Sequence, residues 1–139
     1  MIALIKNIFN GILNRKTIAS NRLIIVNSTS SKIESYFNSL IAEIKIRGGS
    51  KGYVTSSDYR ELQQKVRKTI IFTPDERSIL NSVESIRLCK SSSIIIPDKG
   101  HHMYTVPYIV DDLKSEWNEM KFILDNMASD LAKRAGYTK

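Results

Sequence analysis

The strongest constraint on folding lies near the C-terminus, where Leu113, Trp117, Met120, Leu124, Met127 and Leu131 recur at intervals of four, three, four, three and four. Such spacing puts six large apolar side chains on one stripe of a helix, an a/d seam over nearly three heptads. The seam predicts a helix from Asp111 or Asp112 to Ala135, about 37 Å long, with Gly136 as its stop. A stripe of this kind needs a partner. The partner is first the chain's own core and second a docking interface with another chain, since several other amphipathic segments also need cover.

Those other segments precede it. Thr73-Pro74-Asp75-Glu76 is a helix start: Thr caps, Pro takes the first helical position, and the two acids meet the positive end of the helix dipole. That helix runs to about Lys90 with Ile79, Val83 and Ile86 inward. An earlier helix starts near Ser56 to Asp58 and turns Tyr59, Leu62, Val66 and Ile70 inward. A third follows Ser31-x-x-Glu34, which has the form of a capping box, and ends at Gly48-Gly49. The β-branched run Arg22 to Asn27 predicts a short buried strand, Ser28 to Ser31 a turn, and residues 2–14 a separate amphipathic helix. Between the third helix and the last, Ile94 to Ile96, the turn Pro97 to Gly100, and Met103 to Val110 predict a β-hairpin over about 93–110, with Pro107 at an edge.

The fold class expected is therefore α+β and mostly helical: three to four packed helices and a β-hairpin before a long C-terminal helix. Residues 1–20 are expected to form an appendage and residues 21–139 a single domain. The order of elements has a winged-helix flavour by analogy of element types only.

Charge is distributed unevenly. Residues 1–72 hold twelve Lys/Arg against four Asp/Glu, whereas residues 73–139 hold nine against ten. The whole excess of +7 thus belongs to the first half. A basic half points to a polyanionic partner: nucleic acid, an anionic surface or an acidic protein. The candidate nucleic-acid-binding residues are Arg47 and Lys51, beside Gly48, Gly49 and Gly52, together with Arg60, Lys65, Arg67 and Lys68. The glycines leave backbone N–H groups free to face an anion, but the spacing is not that of a nucleotide-binding P-loop. Tyr53 and Tyr59 interleave with the cations as stacking platforms would.

Motifs for catalysis are missing. His101 and His102 are adjacent, so on a strand they point to opposite faces. The single cysteine, Cys89, sits near a helix C-terminus, where nothing lowers a thiol pKa. Paired acids at Asp75/Glu76 and Asp111/Asp112 stand at helix starts, where capping accounts for them. No catalytic residue, metal ligand or cofactor is assigned. One cysteine predicts a reducing compartment, intracellular or cytoplasmic, with organellar or virion association as variants. No apolar run approaches the length of a membrane span, and residues 1–13 lack the order of a signal peptide. The function expected is that of a small basic, non-enzymatic nucleic-acid-binding accessory protein. The alternative is a structural subunit of a large assembly, such as a virion or organellar complex, docking through its N-terminal helix and C-terminal seam.

Overall fold

A computed structural model describes the backbone of residues 2–90 and 103–136, and the side chains of residues 14–87 and 103–136. The chain is mostly helical. Helices α1 (Ile2–Gly48), α2 (Ser56–Thr69), α3 (Pro74–Lys90) and α4 (Val106–Ala135) are accompanied by two short strands, β1 (Tyr53–Thr55) and β2 (Met103–Thr105). The mostly helical α+β class expected from the sequence is what forms.

The first helix corrects the reading of the N-terminal third. Residues 2–14, the expected strand Arg22 to Asn27, the expected turn Ser28 to Ser31 and the segment after Ser31 form one helix of 47 residues, about 70 Å long. Its buried stripe explains why. Ala19, Val26, Ile33 and Leu40 are buried at seven-residue intervals, with Phe37 and Ile44 beside them. This long-range period outweighs the local strand propensity of Leu23 to Val26. Thr29 sits in the buried stripe because its hydroxyl donates back to Ile25 O at 2.7 Å, which satisfies the group without breaking the helix. Ser31 and Glu34 lie mid-helix, so their capping-box pattern caps nothing.

The sequence reading of α2 and α3 corresponds closely to the structure. Thr55 and Asp58 form a reciprocal capping box at the start of α2. Thr73 and Glu76 do the same for α3, with Thr73 N donating to Glu76 Oε1 at 2.8 Å and Glu76 N donating to Thr73 Oγ1 at 3.2 Å. Tyr59, Leu62, Val66 and Val83 are buried.

The strand pairing differs from the hairpin as drawn. β2 pairs antiparallel with β1, in the register Tyr53↔Thr105, Val54↔Tyr104 and Thr55↔Met103. Ile94 to Ile96 lie outside the described residues. Val106 to Val110, expected as strand, are the first turns of α4, and Pro107 occupies an early helical position where its missing N–H costs nothing. Helix α4 therefore starts five residues before Asp111, and it stops at Gly136 as expected, with φ of 84°.

The ribbon fastens the end of α1 to the start of α4. Val106 N donates to Gly52 O at 3.0 Å. A Cβ on Gly48 would collide with the Val106 side chain, so only glycine permits this approach. From there α4 runs antiparallel along α1, and Gly136 arrives beside Lys16. These two helices share the largest interface in the fold. Leu113, Met120 and Leu124 are buried against α1, while Trp117, Met127 and Leu131 pack partly buried on the same core. The seam residues thus face the chain's own core rather than standing free as a docking interface. No helix among the described residues is long and apolar enough to cross a membrane.

Candidate nucleic-acid interface

The six cations singled out in the sequence do not meet on one face. Arg47, in the last turn of α1, donates to Asp58 at 3.0 Å and to Glu61 at 3.1 Å. Lys65 of α2 pairs with Glu43 of α1 at 3.2 Å. Both cations thus help fasten α2 alongside α1 and are partly neutralised. Asp58 is held below the usual carboxylate range, chiefly by the backbone N–H of Thr55, with Arg47 adding to the effect.

Arg67 is exposed and lies on another side of α2, where it lines a partly open cavity of about 110 Å³ between α1, α2, α3 and α4. The polar part of that lining is Tyr36, Tyr59, Gln63, Arg67, Glu84 and Glu116. Burial pushes the Tyr36 hydroxyl up, and hydrogen bonds from Gln63 and Arg67 pull it partly back. Burial pushes Tyr59 up further and also raises the Glu116 carboxyl, against the nearby Arg87 charge. At neutral pH the two hydroxyls keep their protons, and the Tyr36 oxygen accepts from Gln63 and Arg67. The Arg87 guanidinium is buried beside two acids of α4, at 3.3 Å from Glu116 and 3.6 Å from Glu119.

Arg60 is partly covered and engaged by a neighbour. Lys51 and Lys68 are exposed and make no ion pair among the described residues, and Lys45 in the last turns of α1 is in the same state. Gly49 and Gly52, with φ of 43° and 76°, border Lys51, and both face open space where a side chain would otherwise stand. Of the site read from the sequence, the cations without an acid partner among the described residues are therefore Lys51, Lys68 and Arg67, the last also hydrogen-bonded to Tyr36, and Lys45 joins them.

A second basic region was not assigned from the sequence. At the far end of the α1–α4 pair, Arg15 and Arg22 of α1 and Arg134 of α4 line a shallow groove floored by Ile18, Ala19 and Leu131. Arg15 and Arg22 stand seven residues apart, two turns along one side of the helix. That spacing was visible in the sequence. Arg134 was not, because the C-terminal half is nearly neutral as a whole and only folding carries its last turn to Arg15.

His101 and His102 lie outside the described residues, as does the Cys89 side chain. Among the described residues no three His, Cys, Asp or Glu side chains gather as metal ligands do. No family model matches the chain, and no curated protein and no solved structure is similar to it.

Proposed function

We propose that this protein is a small non-enzymatic nucleic-acid-binding accessory protein that grips the phosphate backbone through exposed lysines. The observation that carries the reading is the set Lys45, Lys51 and Lys68, exposed and without acid partners among the described residues, with Lys51 set in an open glycine turn. Acids are close at hand in the same region, and they are spent on Arg47 and Lys65. Phosphate contacts of this kind supply affinity without sequence preference and weaken steeply as salt displaces them.

The test is fluorescence anisotropy of a labelled oligonucleotide at 50 and 200 mM salt, on the parent chain and on the K45E/K51E/K68E variant. The expected result is binding by the parent that weakens at least tenfold across that salt range, and a further tenfold weakening in the variant at low salt. Equal binding by parent and variant removes these lysines from the interface.

A second reading, a structural subunit of a large assembly, draws on the exposed apolar side chains Ile24, Ile46, Ile71 and Phe122. Exposed apolar side chains mark protein contact where they are contiguous; Ile24 and Ile46 stand about 33 Å apart along α1. A large defined oligomer in light scattering, with no oligonucleotide binding, favours that reading over the first.

A further inference from the structure

We infer that the groove formed by Arg15, Arg22 and Arg134 is a second polyanion site, and that one chain bridges two separate segments of nucleic acid. The inference rests on the reading above and adds to it a new site and a consequence of the site's position.

The groove is a place where the fold gathers like charge without compensating it. Its three arginines come from two helices, Lys16 and Lys133 adjoin them, and no acid lines it. None of the five cations makes an ion pair among the described residues. The nearest acid along α4, Asp130, stands one turn before Arg134 on the same side of the helix; it lines the adjoining groove toward α3 and makes no ion pair with Arg134 among the described residues. Lys133 and Arg134 have a local reason to be where they are, since the negative end of the α4 dipole favours cations in its last turn. The same negative end lies beside Lys16 and so favours Arg15 as well, but Arg22 stands two turns further along α1, beyond the last turn of α4. Packing at this point needs the floor alone: Ala19 is buried and Leu131 is partly covered. Arginine guanidinium groups around a shallow concavity match phosphate oxygens in geometry as well as charge.

The separation of the two regions follows from the helix that carries both. Between Arg22 and Lys45 the chain is one uninterrupted helix, so these residues are about 35 Å apart along its axis. The intervening stretch carries both signs, with Glu34, Glu84, Glu116 and Glu119 standing among Lys32, Arg67, Arg87 and Lys121. A duplex rising 3.4 Å per base pair needs about ten pairs to cover that distance. Two shorter segments, one at each end, do not need that length.

The closing experiment uses the full chain and hairpin-capped duplexes of eight base pairs, about 27 Å long and too short to span the ends. One duplex is biotinylated and held on beads, and a second carries a fluorophore. The expected result is two duplexes bound per chain and retention of the fluorescent duplex on protein-loaded beads. The R15E/R22E/R134E variant is expected to bind one duplex per chain, to lose retention at least tenfold, and to keep the parent's circular dichroism. Binding of one duplex per chain without retention, or an affinity that appears only when the duplex exceeds ten base pairs, overturns the bridging inference and leaves the proposed function standing. Absence of binding by duplexes of every length overturns both.

Discussion

Replacing Glu76 by glutamine tests the junction that fixes α3 to α1. The Glu76 carboxylate is buried and takes three kinds of contact: Lys32 Nζ at 2.6 Å, the Ser28 hydroxyl at 2.7 Å and the Thr73 N–H at 2.8 Å. Lys32 is the largest cause of a depression that brings this carboxyl from 4.5 to about 2, with the Thr73 N–H next. At 1.36 kcal/mol per unit the full depression corresponds to about 3 kcal/mol of stability. The Lys32 side chain is 35% exposed, so solvent screening lowers the expected figure to about 2 kcal/mol. The folded value lies below the unfolded one. The contribution is therefore complete above pH 4.5 and is lost as pH falls toward 2. Glutamine keeps the shape and can still accept from Thr73, so E76Q isolates the charge. The assay is urea unfolding followed by the fluorescence of Trp117, which packs against Phe37 with ring centroids 5.8 Å apart. The E76Q variant should unfold about 2 kcal/mol more easily than the parent at pH 7 and equally easily near pH 2. A deficit that is absent at pH 7, or equally large at pH 2, refutes this account of the junction.

Three further outcomes follow from other parts of the fold. Leu40→Ala, at a side chain with no exposure, should lower stability by about 2–5 kcal/mol in the same urea assay. Gly48→Ala forces its Cβ into the Val106 side chain, and should cost about 1–3 kcal/mol as overpacking does, with the hydrogen-exchange protection of Val106 N–H falling as the ribbon loosens. Arg87→Met removes the cation nearest the half-buried Glu116, whose carboxyl pKa is already raised by loss of solvent. Its pKa should rise further, so the variant's stability should fall as pH climbs from 5 to 8 relative to the parent, read from urea midpoints at both values.

Much of the fold was legible because the informative signals were local. Thr73-Pro74-Asp75-Glu76 holds its whole meaning within one turn, and the structure places its hydrogen bonds where the residue types require. The seam from Leu113 to Leu131 was legible for a related reason: its period is unbroken by polar residues. Helix α1 was not, because Ser28, Thr29, Ser30 and Ser31 interrupt its apolar stripe. Thr29 is tolerated there only through its bond to Ile25 O, and Ser28 through its bond to Glu76, 48 residues away. The same distance in sequence hid the partner of β2. Tyr53 to Thr55 is too short to announce itself as a strand, and its pairing depends on α1 and α4 lying side by side. For the candidate interface, residue type was legible and pairing was not. Arg47 and Lys65 looked as free as Lys51 until Asp58, Glu61 and Glu43 were placed beside them.

The slope of log affinity against log salt for one eight-base-pair duplex measures the central claim most directly. Three unpaired lysines at one end, or three arginines at the other, predict a slope of about −3 at each. A slope near zero, or no binding at 50 mM salt, would contradict the claim that these cations exist to hold phosphate.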